Sequence, residues 1–266
     1  MRPSLARLQF MSEVSVRRFL FVTDLDNTLV GDDNALKELN QLLEQHRQEY
    51  GTKIVYATGR SLTLYQQLST EKPLLEPDAL ITSVGTELHF NTSGNALDPQ
   101  WAEVLSEGWN RELAVATAAH YADLVPQPDS EQGSFKVSYY ITPKAAVEVL
   151  PRLESQLQES GLDVKLIYSG DQDLDILPRN GDKGLAVQFL RRKWQIDALY
   201  TVVCGDSGND IALFSVGEER GIIVGNARSE LRQWYQANQT DYRYLAKAFC
   251  AAGILEGLYH FGLLSK

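Results

Sequence analysis

The chain predicts an α/β fold: a core built on a parallel sheet, interrupted by an inserted α+β unit. Three observations predict it. Short apolar strands alternate with amphipathic helices through the first third of the sequence, the same alternation returns after Lys183, and the stretch between them is richer in strands and turns.

The elements follow in order. Residues 19–23 (FLFVT) read as an apolar strand, and a helix from about Asn34 carries Leu36, Leu39 and Leu43 on one face, with Asp33 as N-cap and Gly51 as stop. A strand at 53–57 leads into Thr58-Gly59-Arg60-Ser61, which opens a helix with Leu62, Tyr65 and Leu68 inward, and a third strand, 79–82, ends in Ser83-Val84-Gly85. This βαβαβ start requires parallel pairing with right-handed crossovers. Residues 91–99 are turn-rich. One long helix bearing Trp101, Leu105, Trp109 and Leu113 is expected next, then a strand at 135–141, a helix at 145–160 and strands at 164–168 and 174–177. Helix 184–194, strand 200–204, helix 209–214 and strand 221–224 complete the core. The division expected is a discontinuous core at 16–97 and 180–266, an inserted cap at 98–179, and a flexible tail at 1–15.

Composition bounds the function. At 266 residues, 44% hydrophobic and 23% charged, the chain is long enough for a sizeable core plus a smaller unit. Its net charge of −10 argues against nucleic acid and anionic membrane surfaces. Cys204 and Cys250 lie far apart without a CxxC, which fits a reducing, cytoplasmic setting, and the four scattered histidines do not make a zinc cluster. The apolar stretch 246–264 is interrupted by Lys247, Glu256 and His260, so it reads as a packed helix rather than a membrane span. A monomer is expected.

Four elements carry chemistry, each at a strand end or helix start: Asp24-Leu25-Asp26, Thr58-Gly59-Arg60, Lys183, and Gly205-Asp206-Ser207-Gly208-Asn209-Asp210. Parallel sheets bind ligands at the carboxyl edge of their strands. Two neighbouring carboxylates repel, so a cation belongs beside them. Asp24 and Asp206 offer hard oxygen ligands to Mg²⁺, and Asp210 would bind through water or orient the others. Thr58 and the Gly59 amide can hold phosphate oxygens, and Lys183 adds a point charge against the developing negative charge. Asp24 then attacks phosphorus, while Asp26 protonates the leaving alkoxide and later deprotonates water.

These elements resemble the motifs of the haloacid dehalogenase superfamily across nearly everything after residue 16, and the DxDxT pattern with Asp26 in second place resembles its phosphatases and phosphomutases. The resemblance implies a Rossmann-like core, with an insert similar to the α+β cap of the superfamily's sugar-phosphatase branch. Within that branch the chain resembles the sucrose-phosphate phosphatases in 24–31 (DLDNTLVG), 56–61 (YATGRS), 83–88 (SVGTEL), 101–109 (WAEVLSEGW), 135–139 (FKVSY), 174–183 (LDILPRNGDK) and 204–210 (CGDSGND). It implies hydrolysis of sucrose 6F-phosphate with Mg²⁺ as cofactor, and a weak association with sucrose-phosphate synthase. It also implies Asp24, Asp26, Thr58 and Lys183 as catalytic residues and Asp24, Asp26, Asp206 and Asp210 as the metal set. Gly59, Arg60 and Asn209 would touch phosphate or substrate. Thr86, Glu87, Lys136 and Ser138 are the candidates for sugar contacts, with Tyr139 or Tyr140 as a platform, whereas Trp101 and Trp109 read as cap-helix packing. Three alternatives stay open: another sugar phosphate such as mannosyl-3-phosphoglycerate, a phosphomutase, and a non-catalytic phosphatase-like binding module.

Overall fold

The computed structural model describes residues 18–94 and 96–265, so the tail expected at 1–15 lies outside the described residues. The chain begins with β1 (Leu20–Thr23), α1 (Asp33–Tyr50), β2 (Lys53–Ala57), α2 (Leu62–Glu71), β3 (Ala79–Thr82) and β4 (Glu87–His89). Next come α3 (Pro99–Ser106), α4 (Arg111–Ala118), β5 (Val125–Pro126), β6 (Val137–Tyr140), α5 (Pro143–Glu159), β7 (Val164–Ser169) and β8 (Asp173–Pro178). The chain returns through α6 (Lys183–Trp194), β9 (Thr201–Gly205), α7 (Ile211–Ser215), β10 (Arg220–Ile223), α8 (Ser229–Ala237), β11 (Arg243–Leu245) and α9 (Cys250–His260).

Two sheets result. The larger has the order β11-β10-β9-β1-β2-β3-β4, parallel except for β4. Strand β1 lies between β2 and β9, with Thr23 level with both Tyr56 and Cys204. That register brings the ends of all three strands side by side, at the point where the strand order runs out in opposite directions. Helices cover both faces, so the strands are apolar on both sides. Phe19, Phe21, Ile54 and Tyr56 face Leu36, Leu39 and Ile254, while Leu20, Val22 and Val55 face Val187, Leu190 and Phe214.

The smaller sheet, β5-β6-β8-β7, is antiparallel. Its strands alternate cleanly. Val137, Tyr139, Leu174 and Ile176 pack against Ala114, Val149, Leu153 and Leu157 of α4 and α5. The opposite face carries Ser138, Tyr140, Asp173 and Asp175 and is turned toward the larger sheet's strand ends.

Several expectations need correction. The long helix through 101–113 is two helices, broken where Gly108 takes φ +69° and Asn110 caps the next start by accepting from the Leu113 amide. Trp101 packs with the large-sheet core against Phe189 rather than within the cap, while Trp109 donates from its indole to the Ser134 carbonyl. Helix α1 is capped by Asp32, whose side chain accepts from the Asn34 and Ala35 amides, not by Asp33; Gly51 does end it, at φ +74°. The edge strands β4 and β11 are absent from the sequence expectations, since three residues are too few to carry a periodic signal. Within 246–264, only Cys250–His260 is helical, because the Glu256 carboxylate accepts from the Lys247 and Ala248 amides and holds the chain ahead of it in a turn. No helix among the described residues is long and apolar enough to cross a membrane.

Candidate active site at the carboxyl edge of the large sheet

Asp24 is the first residue beyond β1. Its amide still donates to the Cys204 carbonyl (3.0 Å), so the strand's pairing carries the carboxylate to the edge. The chain then turns tightly, with the Leu25 carbonyl accepting from the amides of Thr28, Leu29 and Val30. Asn27 takes φ +58°, a conformation Asn tolerates better than most residues. The turn returns Thr28 so that its hydroxyl donates to Asp206 Oδ1 (3.1 Å).

Asp24, Asp206 and Asp210 form a buried cluster in which one carboxylate oxygen from each lies within 4.8 Å of the others. Gly205 makes room for it, since a Cβ there would stand 2.5 Å from the Asp210 Cβ. Lys183, fully buried at the first turn of α6, donates to Asp24 Oδ1 (2.8 Å), Asp210 Oδ1 (2.7 Å) and Asn209 Oδ1 (2.9 Å). Asp210 Oδ2 accepts from the Asp206 and Ser207 amides (3.0 and 3.1 Å). Both Asp210 oxygens are therefore engaged, and this carboxylate orients the loop and the lysine.

One ammonium does not balance three buried carboxylates. Burial, reinforced by the charges of Asp210 and Asp206 and only partly offset by Lys183, pushes the Asp24 carboxyl up to about 8. Burial and then Asp210 push Asp206 to about 7. Burial works against the charged form of Lys183, but Asp210 and Asp24 win and raise its pKa, so it stays protonated. A crowded, charge-deficient set of oxygens fits a hard divalent cation held by Asp24 and Asp206.

The Asp26 carboxylate, expected in the metal set, lies outside this carboxylate cluster. Its half-exposed carboxylate is gripped by Arg60, Nε to Oδ2 at 2.7 Å and Nη2 to Oδ1 at 2.8 Å. Arg60, expected at the phosphate or substrate, lines the cavity with its fork engaged on Asp26. Thr58 Oγ1 accepts from the Arg60 amide (3.1 Å), which leaves its hydroxyl hydrogen free to donate. Gly59 and Asn209 adjoin: a Gly59 Cβ would stand 3.4 Å from Asn209 Nδ2.

Above these groups is a cavity of about 440 Å³, with Asp24, Asp26, Gly59, Arg60, Asp206 and Asn209 on its floor. Cap residues Gln127, Glu131, Lys136, Tyr140, Asp173 and Asp175 line the opposite side. Of the expected sugar contacts, Lys136 and Tyr140 reach the cavity. Ser138 is sealed behind it, donating to Asp175 Oδ1 (2.6 Å), and Tyr139 faces the cap core. Thr86 and Glu87 do not line the cavity: the Thr86 hydroxyl donates to the Ser83 carbonyl, and Glu87 accepts from Thr82. Gln127, Glu131, Asp173, Asp175 and Arg228 were missed. For Asp173 and Asp175 the alternation of residues 173–178 was a usable signal, since both fall opposite Leu174 and Ile176.

A model of the sucrose-6F-phosphate phosphohydrolase family matches residues 17–262. Sucrose-phosphatase 1 of Nicotiana tabacum is 40% identical over 260 residues, covering 94% of this chain and 60% of that protein. The chain thus spans about 60% of the length of the plant relatives it matches. A mannosylfructose-phosphate phosphatase of Agrobacterium fabrum is 33% identical, covering 92% of this chain and 97% of that protein. Among solved structures, the sucrose-phosphatase of Synechocystis sp. PCC6803 in complex with sucrose and phosphate superposes with a TM-score of 0.87 at 40% identity, covering 94% of this chain and all of that one. A haloacid dehalogenase-like hydrolase of Bacillus subtilis, 19% identical, shares the fold with a TM-score of 0.66, covering 98% of this chain and all of that one.

Proposed function

The chain belongs to the sucrose-6F-phosphate phosphohydrolase family, and on that premise we propose that it hydrolyses sucrose 6F-phosphate to sucrose and phosphate with Mg²⁺, through a phosphorylated Asp24. The observation that carries this reading is the buried Asp24–Lys183–Asp210 arrangement beside Asp206 at the cavity floor.

Asp24 and Asp206 would hold Mg²⁺, which when bound supplies positive charge against an incoming phosphate dianion. The chain's own groups do the rest. Asp24 Oδ1 is pinned by Lys183, so the carboxylate is oriented before substrate arrives. Lys183, through its charge and by exchanging one of its three hydrogen bonds, and the Thr58 hydroxyl would stabilise the equatorial phosphoryl oxygens while the Asp24–phosphorus bond forms. For Asp26 to protonate the leaving fructosyl oxygen, the Arg60 fork must release one carboxylate oxygen. Asp26 then takes a proton from the water that cleaves the acyl phosphate, which frees phosphate and restores Asp24. On the cap side, Lys136, Gln127, Asp173 and Asp175 offer the mixed donors and acceptors that sugar hydroxyls require.

Phosphate release from a panel of sugar phosphates, with Mg²⁺ and with chelator, tests the reading. Sucrose 6F-phosphate should give the highest kcat/KM, and chelator should stop release. A second substrate, mannosylfructose phosphate, is favoured by the relative that matches along its whole length, and the same panel separates the two.

A further inference from the structure

The turn Ser83-Val84-Gly85 belongs to none of the chemistry above, yet it is the most strained backbone near the site. Its three residues take φ +52°, +61° and +102° in succession. A β-branched residue in this region is an outlier that persists only where surrounding structure imposes it.

The turn touches two separate parts of the site. The Ser83 amide donates to the Arg60 carbonyl (2.9 Å) and the Val84 amide to the Thr58 carbonyl (3.2 Å), so the turn is laced to the Thr58–Arg60 loop. Val84 forms part of the cavity floor, 3.9 Å from where a Gly59 Cβ would stand. Gly85 lies against the peptide that delivers Lys183: a Cβ on it would fall 2.1 Å from the Asp182 carbonyl carbon and 2.3 Å from the Lys183 nitrogen. The Gly85 carbonyl accepts from the Trp101 indole (3.0 Å), and Asp182 is itself held by Lys165 from β7 of the cap.

We propose that Ser83–Gly85 is the positioning element of the reaction, fixing Lys183 against the Thr58–Arg60 loop so that both close on one phosphate. The proposal rests on the phosphatase reading above and adds residues that touch no reacting atom. The two groups come from distant parts of the sequence and meet through this turn's backbone. Its strain is the cost of bringing Gly85 close enough to the Asp182–Lys183 peptide while Val84 still pairs with Thr58.

The test compares Gly85→Ala and Val84→Gly with the unaltered chain, using Gly94→Ala, where a Cβ meets only ordinary contacts, as control. Three readouts are taken: kcat, Mg²⁺-dependent binding of inorganic phosphate by calorimetry, and inhibition by sucrose. Because small misplacements cost on the order of 10²-fold in rate, Gly85→Ala should lower kcat by about that factor and weaken phosphate binding about tenfold, with sucrose inhibition unchanged. Should Gly85→Ala not fold, Val84→Gly carries the test, with kcat expected to fall roughly tenfold alongside weaker phosphate binding as the turn loses its rigidity. A folded variant that keeps kcat and phosphate affinity within about twofold overturns the proposal, and so does equal weakening of phosphate and sucrose. Phosphate binding reads the turn; release of phosphate from sucrose 6F-phosphate by the unaltered chain reads the substrate assignment, so either can fail alone.

Discussion

The floor and the roof of the cavity are built from different kinds of contact. On the floor, Lys183 makes three hydrogen bonds, Asp210 accepts from two backbone amides as well as the lysine, and Arg60 holds Asp26 with both prongs. On the roof, Ser138 donates to Asp175 (2.6 Å) and Gln127 to Asp173 (3.0 Å), but the buried Lys136 ammonium stands 3.8 Å from Asp175 and 4.0 Å from Glu131, beyond good hydrogen-bond reach, and Tyr140 is exposed. The floor lies at the ends of parallel strands fixed by their neighbours on both sides. The roof is one face of a small antiparallel sheet. On the phosphatase reading, the end that would perform the same chemistry on every substrate is organised in advance, and the end that would recognise a particular sugar has polar capacity to spare.

Substitutions on the floor should therefore lower kcat, and substitutions on the roof should raise KM. The largest effect is expected from Asp24→Asn, which removes the proposed nucleophile and should cut turnover by on the order of 10⁴-fold or more. Rapid-quench experiments with labelled substrate should trap label on the unaltered protein and none on the variant. Next, Asp26→Asn should slow turnover by about 10²–10⁴-fold. Since Asp26 lies outside the carboxylate cluster, Mg²⁺ affinity measured by calorimetry should not change. Normal turnover in this variant would remove Asp26 from the mechanism.

These floor residues were legible in the sequence because each sits in a local motif, where an apolar strand runs into a polar loop and then a helix. Strand periodicity placed Asp24, Thr58 and Asp206 at strand ends, and parallel pairing brought those ends together. The roof left a fainter trace. Alternation correctly put Lys136 and Ser138 on one face, but only the folded sheet shows Asp175 standing between Ser138 and the cavity. Gln127 and Arg228 come from segments without periodicity, and the Ser83–Gly85 turn depends on a contact with Lys183 about a hundred residues away. No pattern within the chain announces a contact of that kind.

The roof supplies a smaller expected effect. Lys136→Ala should raise KM for the sugar phosphate about 10–100-fold, the worth of one hydrogen bond from a charged group, with kcat nearly unchanged. Steady-state kinetics check this, and an equal loss in kcat would mean that the roof shares in the chemistry and that the contrast with the floor is wrong.

The smallest effect distinguishes the floor by its charge. Asp24 and Asp206 are raised from the ordinary carboxylate value of 3.8 to about 8 and about 7 in the folded protein. A carboxyl raised on folding contributes stability that is fully present below its unfolded pKa and is lost as pH rises through its folded pKa. Metal-free protein should therefore lose thermal stability progressively from about pH 4 to about pH 8, at roughly 2–4 °C per kcal/mol, and no further above that. Bound Mg²⁺ favours the charged carboxylates, so its stabilising increment should grow over the same interval and then level off. Calorimetry in two buffers of different ionisation enthalpy should show protons released on Mg²⁺ binding near pH 6 and almost none near pH 9. No roof substitution should alter that release, because none of the roof carboxylates belongs to the cluster. An increment in Tm that stayed flat across the interval would mean that the floor carries its charges without needing a cation.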